Sequence, residues 1–251
     1  MSTPRAFRPP AGNGYADRYA ADYDRWFAKP GVTGATVQLL AGLADTGPVL
    51  ELGVGTGRIA VPLAAHGFIV HGVEASAAMA RRLREKPGGA RVSVTLGDFT
   101  EVPAPGTYTL VYCVGGTFLE LPDRSAQQRC FAAVAERLRP GGVFVVDAHV
   151  PEALVAAAAS EVPETVVDRP GLRVLCHRSV DPATRTYHSH YLVREAGRTH
   201  HLDVRFHYLS VDELDELATA VGLHLTDRHG SWSGEPFTDS SAYHVSVYER
   251  P

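Results

Sequence analysis

The sequence predicts an α/β fold on a parallel sheet, interrupted by an antiparallel insertion, and three observations carry this expectation. Short apolar segments alternate with segments of helical period through residues 34–150, the βαβ pattern that builds a parallel sheet. A run of glycines separates the first of these strands from its helix. Between Thr165 and Tyr208 the apolar period switches to two, as in antiparallel strands with one wet face. The chain of 251 residues has no linker or low-complexity segment, so one domain over 1–251 is expected, large enough to build a core without disulfides.

Residues 15–28 read as one aromatic helix: Tyr15, Tyr19, Tyr23, Trp26 and Phe27 recur at helical spacing behind the turn signal Gly12-Asn13-Gly14. Residues 1–33 are therefore expected to form a helical lid that packs on something apolar. Within the core, 34–150, helix 35–44, strand 48–52, helix 58–66, strand 69–73, helix 77–85 and strand 92–96 follow. Strand 109–113, helix 125–138, a stop at Arg139-Pro140-Gly141-Gly142 and strand 143–148 complete five parallel strands. Each is short and apolar, as strands covered on both faces are.

In the insertion, 151–209, Leu172, Val174 and Cys176 alternate with polar residues, as do Leu202, Val204, Phe206 and Tyr208, with turns at Asp181-Pro182 and Ala196-Gly197. An antiparallel meander is expected. The segment 210–251 returns to the core. Helix 211–221 opens at Ser210, an N-cap with Glu213 as its capping-box partner, and closes at Gly222. Strands 223–228 and 242–248 end the chain.

Composition removes several function classes. With 24 Lys+Arg against 28 Asp+Glu and no basic run, nucleic acid is not an expected partner. Cys113, Cys130 and Cys176 are far apart and form no C-x-x-C pair, which suggests neither a disulfide framework nor a zinc site and fits a reducing compartment. Residues 1–10 end in two prolines and no run of 18 apolar residues occurs, so a cytoplasmic protein with no membrane partner is expected. The insertion carries His177, His188, His190, His200, His201 and His207, but no matched acidic ligand set, so solvated histidines are expected and no metal.

The chemistry concentrates in ordered motifs. Val49-Leu50-Glu51-Leu52-Gly53-Val54-Gly55-Thr56-Gly57-Arg58 puts three glycines between a buried strand and a helix, where backbone can approach a ligand closely. A dinucleotide fingerprint reads G-x-G-x-x-G; this one reads G-x-G-x-G, with Glu51 two residues before it. Seventeen residues after Gly57, the second strand ends in Glu74, a carboxylate able to accept from both hydroxyls of a ribose. Leu96-Gly97-Asp98-Phe99 ends the third strand, and Val114-Gly115-Gly116-Thr117-Phe118 follows the fourth.

Over residues 45–150 this ordered set resembles the class I S-adenosylmethionine-dependent methyltransferases. The resemblance implies a Rossmann-like seven-stranded sheet, mostly parallel with one antiparallel strand, and S-adenosylmethionine as cofactor with S-adenosylhomocysteine as product. It assigns Glu51, Gly53, Gly55, Gly57 and Arg58 to the cofactor turn, Glu74 to the ribose, Asp98 to the adenine amino group and Phe99 to the adenine ring. Ala75, Met79, Cys113, Val114 and Tyr23 join the cofactor site on the same basis. The rest of the chain resembles bacterial secondary-metabolite N-methyltransferases of the amino-sugar and lincosamide type, which share an N-terminal tyrosine helix and an insertion after the fifth strand. In those enzymes two tyrosines eight residues apart sit at the cofactor and acceptor, and Tyr15 and Tyr23 have that spacing. Ordinary packing aromatics are the alternative.

Some amino-sugar enzymes place a histidine after the fourth strand, whereas this chain has Thr117-Phe118-Leu119-Glu120, so Phe118 is expected to wall the acceptor. His149, at the carboxyl end of the fifth strand where ligands bind in such sheets, and Glu120 are the candidate proton acceptors. Trp232, between the last two strands, is expected to border the acceptor pocket. A small-molecule amine is the expected acceptor. The alternatives are an O-methyltransferase with His149 as base and a non-catalytic S-adenosylmethionine-binding module. A metal-dependent catechol enzyme would need carboxylates near the end of the fourth strand, and residues 112–118 offer none. Lys29 and Lys86 are the only lysines, which leaves no Tyr-x-x-x-Lys pair for a nicotinamide oxidoreductase. Exposed strand edges of the insertion suggest a homo-oligomer.

Overall fold

The computed structural model describes residues 14–28 and 30–251, so Gly12 and Asn13 of the expected turn and Lys29 lie outside the described residues. The lid is two short helices, α1 (Tyr15–Tyr19) and α2 (Tyr23–Phe27), rather than one, with a turn at residues 20–22 between them. The aromatic spacing is satisfied across the break because both helices offer their rings to the same apolar surface: Tyr19 and Trp26 pack with Leu172, Val174, Val193 and Leu202 of the insertion.

The core follows in βα alternation: α3 (Pro30–Leu43), β1 (Val49–Leu52), α4 (Ala60–Ala65), β2 (Val70–Glu74), α5 (Ala77–Glu85), β3 (Val92–Leu96), β4 (Tyr108–Cys113), α6 (Arg124–Arg137) and β5 (Leu138–His149). Helix α3 starts five residues earlier than expected, at a proline whose fixed φ suits a first helical position. Strand β5 also starts earlier than expected. It runs through Arg139-Pro140-Gly141-Gly142, and the register against β4 jumps between the pairs Tyr108↔Leu138 and Leu110↔Val143 to absorb the extra residues. The segment that reads as a stop is a bulge, held where Gly141 N–H donates to the Arg250 carbonyl at 2.7 Å.

The insertion opens with α7 (Pro151–Ala158), which sequence reading does not anticipate. It continues as a four-stranded antiparallel sheet: β6 (Glu164–Arg169), β7 (Leu172–Asp181), β8 (Thr186–Glu195) and β9 (Arg198–His207). Helix α8 (Val211–Ala220) carries the expected capping box of Ser210 and Glu213. Strands β10 (His224–His229) and β11 (Tyr243–Glu249) complete a seven-stranded sheet of order β10-β11-β5-β4-β1-β2-β3. Strand β11 alone runs against its neighbours.

Strand β1 lies between β2 and β4, so the strand order reverses there and a crevice opens at the carboxyl ends. The inner face of the second sheet covers that end, since Tyr187, Val204 and Phe206 share one apolar cluster with Leu52, Phe144 and Val146. No helix among the described residues is long and apolar enough to cross a membrane.

Candidate active site

The turn after β1 is shaped by glycines. Gly53 and Gly55 hold φ of +71° and +54°, a region costly for other residues. A Cβ on Gly53 would stand 2.5 Å from Thr117 Cγ2, whereas one on Gly55 would meet nothing nearer than 3.9 Å. Space is thus left beside Gly55. The buried Glu74 carboxylate faces it, accepting from Gly55 N–H at 2.7 Å and from Ser76 N–H at 2.8 Å. Burial raises the Glu74 pKa, and the backbone donors of Ser76, Gly55 and Ala75 oppose that rise. Ser76 Oγ caps α5 at Met79 N–H (3.1 Å) and donates to Asp17 Oδ1 at 2.6 Å, tying α1 of the lid over this end.

Asp98 Oδ1 accepts from Thr100 N–H at 2.8 Å, and Phe99 packs against the core beside Gly53. Glu51 is buried under the turn, where desolvation pushes its pKa up to about 8 against the opposing charge of Arg58 and the Tyr112 hydroxyl, which donates at 3.1 Å. A ligand cation beside Glu51 would therefore ionise it. Open backbone at Gly55 with a buried acceptor facing it fits the nucleoside of the cofactor that the motifs imply.

Past β4 and β5 lies a cavity of about 440 Å³, enclosed by the lid, the loop after β4, the inner face of the insertion and the loop at 231–233. Tyr15, Tyr23, Glu120 and His149 all line it, together with Arg58, Val114 and Trp232. The Tyr15 hydroxyl donates to Glu120 Oε1 at 3.2 Å, and the Tyr15 and Tyr23 rings stack with centroids 6.3 Å apart. Burial, reinforced by Glu120, holds the Tyr15 pKa well above its ordinary value and pushes Tyr23 up to about 12. Both hydroxyls therefore stay protonated near neutral pH, and they orient rather than abstract. Burial, helped by Arg178, lowers the His149 pKa, which keeps its imidazole neutral.

Phe118 is the main correction. It is fully buried and meets Phe131 and Phe144 edge to face at 5.4 and 6.3 Å, so it builds the core and not the acceptor wall. The 3-10 turn at Thr117–Glu120 directs Glu120 to the cavity and Phe118 away from it. Cys113 is likewise internal: its thiol, pushed up by burial, donates to the Leu52 carbonyl at 3.4 Å. The Met79 side chain is buried in its helix–sheet layer.

The cavity holds residues that sequence reasoning passed over. Asp147 receives Gly115 N–H and Gly116 N–H, both at 2.8 Å, Trp232 Nε1–H at 2.8 Å, and the Tyr243 hydroxyl. The signal was a lone carboxyl directly after Val143-Phe144-Val145-Val146, the apolar run of β5. Arg178 occupies the next in-phase position after the apolar series Leu172, Val174 and Cys176. On the opposite face of the insertion His188 and His190 hydrogen-bond Asp203 at 3.3 and 3.1 Å, and no group able to hold a metal occurs among the described residues.

Comparison with known proteins adds to this geometry. A family model described as a methyltransferase domain matches residues 49–142, the segment of the glycine turn, Glu74 and Asp98. The structure of the CcbJ methyltransferase from Streptomyces caelestis is 36% identical, with a TM-score of 0.84, covering 95% of this chain and 98% of that one. The cypemycin N-terminal methyltransferase of a Streptomyces species is 27% identical over 82% of this chain and 84% of its own length. S-adenosylmethionine-bound CalS10, an amino pentose methyltransferase from Micromonospora echinaspora, shares the fold along the full length of both chains, with a TM-score of 0.67 at 20% identity.

Proposed function

The chain belongs to the class I S-adenosylmethionine-dependent methyltransferases, and we propose that it methylates an amine nitrogen of a small molecule in natural-product biosynthesis. Bound S-adenosylmethionine supplies an electrophilic methyl group on a sulfonium. The chain's residues do the rest. In this reading Glu74 accepts from ribose hydroxyls, Asp98 and Phe99 meet adenine, and Arg58, which lines the cavity, pairs with a carboxylate.

One observation carries the amine reading: a protonated tyrosine hydroxyl and a carboxyl, Tyr15 and Glu120, are hydrogen-bonded to each other at the cavity beside Tyr23. Methyl transfer needs a free lone pair in line with the sulfonium, so positioning supplies much of the rate. An amine arriving as an ammonium must first shed a proton, and Glu120 can take it while the tyrosines orient the nitrogen. A phenol or sugar hydroxyl needs a base during the transfer itself, whereas an amine loses its proton beforehand, so a group of low basicity such as Glu120 need only pass that proton on. The name of the cypemycin N-terminal methyltransferase points the same way.

The test is mass-spectrometric detection of product from enzyme, S-adenosylmethionine and a mixed panel of amine antibiotics, amino sugars and phenols. Methylated amines alone are expected; methylated phenols alone would move the assignment to O-transfer with His149 as base. In the same assay Tyr23→Phe should lower turnover by about tenfold or more, the scale of one hydrogen bond to a reacting group, with S-adenosylhomocysteine affinity nearly unchanged. Equal loss of both would assign Tyr23 to the cofactor, and unchanged turnover would remove it from the mechanism.

A further inference from the structure

Helix α2 is five residues long, too short to be stable in water by itself, so its place is decided by what its side chains reach. Two of its sides are held by different parts of the molecule. On the insertion side Trp26 is fully buried and its Nε1–H donates to Glu195 Oε2 at 3.1 Å, while Arg25 Nε–H donates to Glu195 Oε1 at 2.6 Å. On the core side Asp24 Oδ1 accepts from the Thr56 hydroxyl at 2.6 Å, and Asp24 Oδ2 pairs with Lys86 Nζ at 2.6 Å. Thr56 is buried between Gly55 and Gly57 of the cofactor turn, and Lys86 is the C-cap of α5. Since Asp17 of α1 meets Ser76, the N-cap of that same helix, the two lid acids hold α5 at both ends, and Asp24 holds the turn as well.

Asp24 directly follows Tyr23, and successive side chains leave a helix about 100° apart. One of the pair therefore reaches the cofactor turn while the other lines the acceptor cavity, where the Tyr23 ring lies 5.0 Å from that of Phe27 and the Phe27 ring lies 5.2 Å from that of Tyr191. The Asp24 contact thus sets where Tyr23 stands relative to bound cofactor. Of its two bonds, the ion pair is partly open to water, with the Lys86 and Asp24 side chains 29% and 38% exposed, and is screened accordingly. The hydroxyl of buried Thr56 is the firmer of the two anchors.

We propose that Asp24 is a positioning residue for methyl transfer: by accepting from the Thr56 hydroxyl it fixes Tyr23 against the cofactor turn. This rests on the assignment of Tyr23 to the acceptor. The test is steady-state kinetics of Asp24→Ala, Thr56→Val, Thr56→Ser and Lys86→Met, each alone and combined with Tyr23→Phe, on whichever member of the acceptor panel gives product. Calorimetric binding of S-adenosylhomocysteine is measured beside it.

Asp24→Ala and Thr56→Val should each lower kcat by about tenfold, within the scale of a slightly displaced orienting group, and together they should lower it no further than either alone. Acceptor KM and S-adenosylhomocysteine affinity should stay within about threefold, because the loss is confined to the transfer step. Thr56→Ser should keep most of kcat, and Lys86→Met should lower it by about twofold at most. In the Tyr23→Phe background none of the four should cost anything more. A further loss in that background, additive losses in the double variant, or a fall in S-adenosylhomocysteine affinity equal to the fall in kcat would each overturn the proposal. Amide hydrogen exchange of residues 23–27 in the S-adenosylhomocysteine complex, which needs no acceptor, should quicken in Asp24→Ala and Thr56→Val; exchange equal to the parent's would overturn it whatever the panel yields. The readings fail separately. Methylated phenols alone would end the amine reading and leave the Asp24 comparison intact, whereas methylated amines with additive losses would keep the amine reading and remove Asp24.

Discussion

Glu74→Gln should weaken S-adenosylhomocysteine binding by about 100-fold or more, measured by calorimetry, while the protein still folds. The buried carboxylate serves two purposes. One is structural: its oxygens accept from Gly55 N–H and Ser76 N–H and so hold the glycine turn against α5. The other is recognition, since the remaining lone pairs of both oxygens are available to ribose hydroxyls. A hydrogen bond to a charged group contributes roughly 1.5–3 kcal/mol, and each 1.4 kcal/mol is a factor of ten in affinity. Glutamine keeps the shape and one oxygen, but its NH₂ must face either a backbone N–H or a ribose oxygen that had received no donor before. Losing the charge and reversing one hydrogen bond together reach about two decades. Affinity within threefold of the parent would limit Glu74 to holding the turn.

The same residue shows what could be read in advance. Glu74 is legible because its function is fixed by local chain geometry: a strand end, a counted distance from the glycines, and a residue type that matches a ribose. The parallel part of the sheet is legible for a related reason, since apolar strands and helices alternate over most of residues 34–150, whereas its seven-stranded form is what the family resemblance implies. The lid's partner was legible only as an apolar requirement, and Trp26 meets it on the insertion rather than on the core. Phe118 was misplaced because a motif gives sequence position and not orientation; a single 3-10 turn decides that Glu120 and not Phe118 faces the cavity. The bulge in β5 was hidden because Pro and Gly mark a strand's interruption and its end alike. Arg178 and Asp147 were out of reach because their surroundings are assembled from distant segments. The partners of Asp147 come from residues 115–116, 232 and 243, and no local pattern in β5 foretells that they converge.

Asp147→Ala should lower the melting temperature by about 10 °C, the largest stability loss expected of a single substitution at this site. It strands four donors at once: two backbone N–H groups of the loop after β4, the Trp232 indole and the Tyr243 hydroxyl. An unsatisfied buried donor costs about 1–3 kcal/mol. The cavity admits water to part of this group, so about 4 kcal/mol in total is reasonable, and a protein of this size loses roughly 2–4 °C per kcal/mol. Asp147→Asn separates function from folding. Its oxygen can stay with Trp232 and Tyr243 at the position of Oδ2, leaving its NH₂ against Gly116 N–H, so the loop after β4 shifts while the fold survives. Because Trp232, Tyr243, Gly115 and Gly116 line the acceptor cavity, the acceptor KM should rise several-fold in this variant with S-adenosylhomocysteine affinity held within about threefold. A loss confined to cofactor affinity would instead place Asp147 at the cofactor end, and an unchanged melting temperature in Asp147→Ala would show that water replaces the carboxylate without cost.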